Sequence, residues 1–469
     1  MLLVGLAVFV IVLLPRKHVI WAFLAPTLAI PQGQSIMLGS LHVRMLQILA
    51  IAGLLRVLCD RNLNPDRKRF AINSLDRVFV LWALSGSIIF VLRWQSVGAL
   101  INQSASLFNT LATYCVLRFL IRDEQDVLRA IRALSLICCV MAFLMVIEQR
   151  TGHNPLSVLG GVRELSEVRN GKVRAQGPFS HSILAGVFAA TTIPLYVGLW
   201  VIQKKARASA IFGILGAATM VVTSASSTPL MAIGGAIAAF SLWRFRKRMS
   251  LVRWGIVSVL LGLELVMKAH VWWLLARVDL TGSSNGWDRA ALIDNAIKHF
   301  SEWWMLGTNN NANWGYSMYD LCNWFVAQGV LGGISTFILF ICVITLCFQR
   351  IGCARKAVQG VWRQEFFIWS VGGALSSHVF SFFGISYFDQ TIVSWIALLA
   401  TISSLKQTPI PAAGAQPKAP AREEWAFEFV DDHMPPKYDE KFVARAEIPE
   451  RHWIWPQQAE EHHANVQNL

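Results

Sequence analysis

Apolar runs long enough to cross a bilayer recur along most of this chain. A transmembrane helix needs about 20 apolar residues, and a 469-residue chain that is 55% hydrophobic and 15% charged, with a mean hydropathy of +0.47, is too apolar for an ordinary soluble domain. We therefore expect an all-α integral membrane protein in which residues 1–405 form a bundle of about 12 or 13 transmembrane helices, since the first two runs are short. The runs lie near 1–14, 18–31, 41–58, 77–92, 98–121, 127–147, 181–202, 208–223, 228–243, 253–275, 322–348, 364–383 and 385–405.

The positive charge of the chain collects in short segments between these runs. The net charge is +14, and residues 406–469 hold 7 Lys/Arg against 11 Asp/Glu, which leaves +18 on residues 1–405. By the positive-inside rule the basic segments are cytoplasmic, so topology accounts for the charge and no nucleic-acid partner is expected. The proline-rich segment 406–469 is then a disordered cytoplasmic tail. The basic segments are 56–69, 204–207, 244–253 and 349–363, and the opposite, outer face receives a first outer loop (148–180), a second outer loop (274–321) and the turns 224–228 and 383–387.

The first outer loop is basic, against this topological bias. Arg174 lies shortly before Ser180, which is placed to cap a helix that opens at His181. A guanidinium beside a helix N-terminus suits a phosphate, because its donors and the helix dipole act in the same direction. The alternative is an arginine that closes the loop by pairing with Glu164 or Glu167. The cations of this loop are Arg150, Arg163, Arg169, Lys172 and Arg174.

The second outer loop is polar and rich in Asn and aromatic residues. Its first part has helical periodicity, and two tryptophans at the end favour an amphipathic helix that lies at the membrane interface. The following segment, TNNNANWGYSMYD, has amides and rings that suit hydroxyl-rich ligands, or it is a poorly ordered surface loop. The expected apolar face is Ile293, Ala296, Ile297, Phe300 and Trp304, and the expected polar residues are Arg289, Asp294, Lys298 and Glu302.

Three further polar residues stand at or inside the last apolar runs. Asp320 and Asn323 are spaced i, i+3, so we expect them on one face in the first turn of the eleventh helix, where a carboxylate is functional by default. His378 lies inside the twelfth run as a packing or hydrogen-bonding residue, or as a catalyst. The eight cysteines show no paired CxxC spacing, so neither a zinc site nor a disulfide framework is expected, and the sequence suggests no metal or other cofactor.

Four motifs carry a family resemblance. RAQGPFSHSILAG (174–186), GWDRAALIDNAIKHFSEWWMLG (286–307) and DLCNWFVAQGVLGG (320–333) resemble, in this order, the signatures of the O-antigen ligase and O-antigen (exopolysaccharide) polymerase superfamily, and IEQRTGHNP (147–155) is similar in style. Together with the many spans and two large outer loops, the resemblance covers about residues 1–405.

The resemblance implies a GT-C-like, metal-independent glycosyltransferase of the bacterial inner membrane. Such an enzyme moves a glycan from an undecaprenyl-diphosphate-linked donor to a glycan or lipid acceptor at the outer, periplasmic face, among membrane lipids and with other polysaccharide assembly proteins as possible partners. Arg174 and Arg289 match the family's phosphate-facing arginines, and Arg163 and Lys172 are candidate helpers. Without a metal motif, arginines must neutralise the diphosphate leaving group. The resemblance does not choose between ligase and polymerase.

The sequence departs from the family at the expected general base. Many members have a His-Asn pair after the second loop, whereas this chain has Asp320 with Asn323. We favour Asp320 as the general base or as the residue that orients the acceptor. In the alternatives, His181 or His378 takes that role, or Asp320 has only a structural role. A transporter or flippase for lipid-linked oligosaccharides remains the competing function, although no internal repeat is visible. A third hypothesis is a non-catalytic scaffold that acts through its tail.

Overall fold

The computed structural model describes residues 2–38, 41–63, 72–277 and 286–405. The tail expected over 406–469 lies outside the described residues. The helices are α1 (Leu2–Leu13), α2 (Arg16–Ala29), α3 (Met45–Leu63), α4 (Ser74–Trp94), α5 (Val97–Leu120), α6 (Glu124–Thr151), α7 (Ser182–Ile202), α8 (Arg207–Thr223), α9 (Ser227–Ser241), α10 (Met249–Val266), α11 (Leu274–Arg277), α12 (Gly286–Lys298), α13 (Phe300–Trp303), α14 (Trp324–Ala357), α15 (Trp362–Phe382) and α16 (Gln390–Ser404). Two antiparallel hairpins are formed by β1 (Ser35–Leu38) with β2 (Leu41–Arg44) and by β3 (Glu167–Arg169) with β4 (Lys172–Arg174).

Every apolar run of the sequence coincides with one of these helices, and several are long enough to indicate a multi-pass membrane protein. Six helical segments are long and apolar enough to cross a bilayer, and three shorter apolar helices accompany them. The all-α membrane architecture is therefore confirmed in outline, while the number of crossings stays a prediction. The six segments are 74–94, 124–151, 182–202, 204–223, 227–266 and 324–357.

Ion pairs and hydrogen bonds between helix ends define one end of the bundle, here called the basic end. Arg16, at the start of α2, pairs with Asp126 at the start of α6 at 3.1 Å. Arg118, near the end of α5, pairs at 3.3 Å with Asp76 at the start of α4. Glu365 of α15 pairs with Arg355 of α14 at 2.7 Å. Two of these pairs adjoin basic segments, because Asp76 follows segment 56–69 and Arg355 lies within segment 349–363.

The opposite end, here called the loop end, gathers both outer loops. Ala175 donates its backbone N–H to the Thr223 carbonyl oxygen at 3.1 Å, which joins the first outer loop to the end of α8. Ser386 Oγ donates to the Leu321 carbonyl oxygen, which joins the α15–α16 turn to the second outer loop. Residues far apart in the sequence thus meet at one end of the bundle.

Close helix packing supports this end. The α7 helix is buried along most of its length and packs on α8, α9 and α15. A Cβ at Gly186 would lie 2.5 Å from Ser224 Oγ, so only glycine lets α7 approach the α8–α9 turn this closely. Small residues allow such approach in membrane bundles. The α10 helix has no buried residue.

Both outer loops contain more regular structure than their composition predicts. In the first, β3 and β4 form a hairpin whose turn residues, Asn170 and Gly171, have φ of 51° and 71°. Two residues with positive φ are what a tight hairpin turn requires, and Asn-Gly supplies them.

The second outer loop begins earlier than expected, because α10 ends at Val266 instead of near residue 275.

The expected faces of the amphipathic helix were partly wrong. Arg289, assigned to the polar surface, is buried with Leu292 and Ala296, whereas Ile297 and Phe300 of the expected apolar face are 54% and 45% exposed. Of the expected polar residues only Arg289 is buried, whereas Lys298 and Glu302 are exposed. Arg289 therefore enters the interior together with small and apolar residues, and the exposed Ile297 and Phe300 fit a helix whose apolar side contacts lipid.

Candidate functional site

A buried carboxylate braces the segment that carries Arg174. Glu148, near the end of α6, is fully buried. Its Oε1 accepts from Gln176 N at 3.0 Å and Ser166 Oγ at 2.9 Å, and its Oε2 accepts from Gly177 N at 2.8 Å. Because two backbone donors and a hydroxyl converge on one carboxylate, the course of the chain on both sides of the hairpin is fixed. The sequence prediction did not include Glu148.

Arg174 is buried beside the one acidic residue that it pairs with. It is 4% exposed, and its Nη1 donates to Glu167 Oε1 at 3.0 Å. The loop-closing pair with Glu167, which the sequence left as an alternative, is therefore formed, while Glu164 faces His153 at 3.8 Å. Arg174 Nε is buried without a partner. Burial lowers the pKa of Arg174, and the nearby Glu167 charge acts against that shift.

His181, instead of Ser180, caps α7. Its Nδ1 accepts the Ile183 backbone N–H at 3.2 Å, while the Ser180 hydroxyl donates to Asp389 Oδ2. Because Nδ1 accepts a backbone proton, the neutral ring carries its own proton on Nε2 and has no free lone pair for a substrate. In this arrangement His181 orients or donates, and does not act as a base.

The electrostatic surroundings of His181 identify its neighbours. Its Nε2 lies 3.8 Å from Glu167 Oε2. Burial lowers the pKa of His181 first of all, and the positive charges of Arg174 and Arg163 add to this; the negative charges of Glu167 and Asp320 oppose it. Hydrogen bonds place these loops together: Ser180, which precedes His181, contacts Asp389, and Leu321, which follows Asp320, contacts Ser386 a few residues away from Asp389.

Arg289 enters the same region from α12. It is 7% exposed, and its Nη2 donates to Thr228 Oγ1, in the first turn of α9, at 2.8 Å. Its Nε is buried without a partner. Burial lowers the pKa of Arg289, the neighbouring Cys322 thiol acts in the opposite direction, and the Arg169 charge lowers the pKa further. The same Arg169 charge lowers the pKa of Arg174, so Arg169 acts on both guanidinium groups.

Asp320 and Asn323 do not share the first turn of a helix. The α14 helix begins at Trp324, because Asn323 is its N-cap and accepts the Val326 N–H on Oδ1 at 3.2 Å. Asp320 lies in the preceding loop and is exposed, and its carboxylate makes no hydrogen bond or ion pair with the described part of the chain. Burial and the Asp320 charge raise the pKa of Cys322 to about 11. Asp320 is thus an uncommitted carboxylate beside the buried residues.

Four buried side chains at the loop end hold nitrogen atoms that donate to no described residue. Such atoms are rare in folded proteins and each calls for an explanation. All four are donors, so an acceptor-rich ligand such as a phosphate would satisfy them. We call this set the donor cluster: Arg174 Nε, Gln176 Nε2, Arg289 Nε and Asn323 Nδ2. Gln176 and Thr228 were not anticipated; Gln176 lies within the motif at 174–186, and Thr228 ends the polar outer turn 224–228.

The remaining candidate residues lie at different depths. Arg163 is exposed and acts on His181 only through its charge. Lys172 is exposed on β4, opposite Arg169. His378 is not in the cluster: it is buried within α15, with Nδ1 2.8 Å from the Tyr387 hydroxyl and its ring centroid 5.3 Å from that of Trp395. Its contacts are those of a packed, hydrogen-bonded core histidine.

No group of three or more His, Cys, Asp or Glu side chains suited to a metal ion occurs in the described ranges. The site is therefore built from guanidinium, amide, hydroxyl and single carboxylate groups at the loop end of an apolar bundle. No known protein family and no curated protein matches this chain.

Proposed function

We propose that this protein transfers a glycan from an undecaprenyl-diphosphate-linked oligosaccharide to a glycan or lipid acceptor, in the polymerisation or ligation of a cell-surface polysaccharide. The observation that carries the proposal is the donor cluster: two buried arginines, each with an unpartnered Nε, and two side-chain amide nitrogens without a partner, at the loop end of a membrane bundle. The family resemblance of the motifs around Arg174 and Arg289 points to the same chemistry.

The donor cluster suits a lipid-linked diphosphate for two physical reasons. A buried guanidinium that lacks part of its hydrogen bonding is costly, and an anion with several acceptor oxygens offsets that cost. The acidic partner, Glu167, neutralises Arg174 only in part, because its side chain is 38% exposed. Preorganised donors of this kind stabilise the negative charge that develops on a leaving diphosphate.

Asp320 is the residue proposed to take the acceptor proton. In the transfer, the acceptor hydroxyl oxygen forms a bond to the anomeric carbon, the bond from that carbon to the phosphate oxygen breaks, and the diphosphate leaves with the electron pair. The hydroxyl proton passes to the Asp320 carboxylate. Asp320 is exposed and uncommitted, whereas Glu167 is engaged by Arg174 and His181 has no free lone pair, so Asp320 is the best base among these residues.

We propose a bacterial inner-membrane location with the loop end on the periplasmic side. The basic segments at the opposite end support this orientation through the positive-inside rule. A lipid-linked donor would reach the donor cluster from the outer leaflet, alongside the exposed apolar residues of the second outer loop. Those residues are Trp287, Ile297, Phe300, Trp304, Met305 and Leu306.

The decisive experiment follows lipid-linked repeat units in cells that lack the protein. Accumulation on the outer leaflet, with short or absent polysaccharide, is the expected result. Accumulation on the inner leaflet would identify a flippase and overturn the proposal. Complementation with Arg174→Ala, Arg289→Ala and Asp320→Ala should fail at wild-type expression, whereas Arg150→Ala, which removes an exposed arginine in the last turn of α6, should restore the polysaccharide.

A binding measurement tests the donor cluster separately from turnover. Purified protein in lipid nanodiscs is titrated with undecaprenyl diphosphate. Arg174→Ala and Arg289→Ala should each weaken binding by at least tenfold, and Asp320→Ala should leave it within about twofold, because a proton acceptor is not a diphosphate ligand. Equal affinity in all variants would show that the donor cluster does not bind the diphosphate, and the proposed function would lose this support.

A further inference from the structure

A polar cleft lies next to the chain that leads into His181. Its volume is about 380 Å³, and it is lined by Gln32, Gly33, Ser35, Arg44 and Asp389. It therefore lies between the β1–β2 hairpin, which follows α2, and the start of α16. The lining holds one cation, one carboxylate, one amide and one hydroxyl.

Hydrogen bonds tie this cleft to the chain that leads into His181. Asp389 accepts from the hydroxyl of Ser180, the residue that precedes His181. Gln390 Nε2 donates to the Pro178 carbonyl oxygen at 2.7 Å and to the Ile30 carbonyl oxygen at 3.1 Å. A ligand in the cleft would thus lie within a few residues of the cap of α7, on the same end of the bundle as Asp320.

Asp389 adopts a backbone conformation that aspartate rarely takes. Its φ is 52° and its ψ is −138°, and its side chain makes no cap hydrogen bond to α16. Glycine would take this conformation without strain, so helix capping does not explain an aspartate here. Strained residues collect at functional sites, where the side chain is what is needed.

Arg44 supplies the second charge of the cleft. It stands at the end of β2 and is exposed, and its guanidinium makes no hydrogen bond or ion pair with the described residues. A guanidinium and a carboxylate facing one cleft offer several donors and two acceptors. Their charges cancel, which disfavours a diphosphate and suits a neutral, hydroxyl-rich ligand.

We propose that this cleft binds the acceptor glycan and presents its terminal hydroxyl group toward Asp320. The inference rests on the proposed glycosyl transfer, and it assigns donor and acceptor to different residues: the diphosphate to the donor cluster, and the acceptor sugar to Arg44, Asp389, Gln32 and Ser35. Carbohydrates are bound through paired hydrogen bonds to neighbouring hydroxyl groups, which Arg and Asp side chains provide from opposite sides.

The test uses two probes on the full-length protein in nanodiscs. One is undecaprenyl diphosphate, and the other is a fluorescent oligosaccharide of two or three repeat units, cut from the polysaccharide that the wild-type cell makes. Arg44→Gln and Asp389→Asn should weaken oligosaccharide binding at least tenfold and leave undecaprenyl diphosphate binding within twofold. Arg174→Ala should show the reverse pattern, and Arg150→Gln should change neither.

Asp389→Gly separates function from folding. Glycine relieves the positive φ but loses the hydrogen bond from Ser180, so this variant should unfold within a few degrees of the wild type, yet lose oligosaccharide binding; Asp389→Asn, which keeps an acceptor for Ser180, should lose binding without unfolding earlier. Unchanged oligosaccharide binding in Arg44→Gln and Asp389→Gly, or no binding by the wild type, would overturn the acceptor assignment. If the oligosaccharide binds as described but undecaprenyl diphosphate does not bind at all, the proposed donor fails and the glycan cleft stands.

Discussion

Arg174 and Glu167 face each other across the β3–β4 hairpin as a directly opposed pair, and the guanidinium of Arg174 donates to the Glu167 carboxylate at 3.0 Å. The arginine is buried, while the glutamate side chain is 38% exposed. Such a pair has two roles. It stabilises the empty site, and it competes with any anion that binds Arg174.

Glu167→Gln should therefore separate stability from anion binding. Without ligand, loss of the charge should lower the free energy of unfolding by about 1 kcal/mol, a modest figure because the carboxylate is partly solvated. Binding of undecaprenyl diphosphate should become tighter, since Arg174 loses its competitor. Thermal unfolding with and without the lipid measures both effects. Weaker lipid binding by Glu167→Gln would show that Glu167 itself positions the ligand; Glu164→Gln, in the same loop, is the control.

Arg289→Lys should bind undecaprenyl diphosphate poorly, although it keeps the positive charge. Arg289 donates to Thr228 with Nη2 and leaves Nε for another acceptor, and a lysine ammonium cannot make both contacts in this fixed geometry. We expect undecaprenyl diphosphate to bind roughly tenfold more weakly, which corresponds to about 1.4 kcal/mol. Arg150→Lys is the matched control. Equal binding by both variants would mean that only the charge of Arg289 matters.

The helices were predictable from the sequence because lipid imposes a length and a composition on each membrane segment. Every apolar run became a helix, including one whose polar Gln103 donates to Ser87 of the neighbouring α4. The β3–β4 hairpin also carried a signal, Asn170-Gly171 between β-forming residues, which the sequence analysis of the basic loop did not use.

The site was predictable only as a set of residue types. Arg174 and Arg289 were chosen by motif. The pair of Arg174 with Glu167 was one of the sequence alternatives and follows from the hairpin register, whereas the contact of Arg289 with Thr228 is tertiary and no local pattern encodes it. Helical periodicity grouped Arg289 with the polar residues Asp294, Lys298 and Glu302, but its burial against Thr228 depends on packing between helices. Asn323 was identified, but as a neighbour of Asp320 on one helix face and not as the N-cap that starts α14.

Acidification should destabilise the protein partly through His181. Its pKa in the folded protein is lowered below the ordinary 6.5, so the unfolded state binds more protons as the pH falls through and below 6.5. The stability due to neutral His181 is present above pH 6.5 and is lost as the pH falls through the folded pKa. His181→Asn keeps an N-cap side chain but does not titrate. Its unfolding temperature should fall less than that of the wild type between pH 7.5 and pH 5; parallel curves would exclude this role.

Glu148→Gln should loosen the segment that carries Arg174. The carboxylate accepts two backbone N–H groups and one hydroxyl, and an amide would turn one acceptor into a donor that faces other donors. We expect the free energy of unfolding to fall by about 1–3 kcal/mol. Affinity for undecaprenyl diphosphate should fall as well, because Gln176 belongs to the donor cluster. Glu164→Gln, whose side chain is 75% exposed, should change neither quantity.

The first outer loop contacts the segment after α2 at Gly161, and this contact should tolerate no side chain at that position. Gly160 and Gly161 have nearly the same φ, 79° and 81°, so alanine costs roughly 1 kcal/mol of backbone strain at either position. A Cβ at Gly161 would also lie 2.7 Å from Gln34 N, while one at Gly160 would meet no atom within 4 Å. Gly161→Ala should therefore unfold at a lower temperature than Gly160→Ala and bind the acceptor oligosaccharide more weakly, since Gln34 adjoins the cleft residues Gly33 and Ser35. Because the two variants share the strain, any difference between them measures the contact, and identical behaviour would show that the segment moves aside without cost.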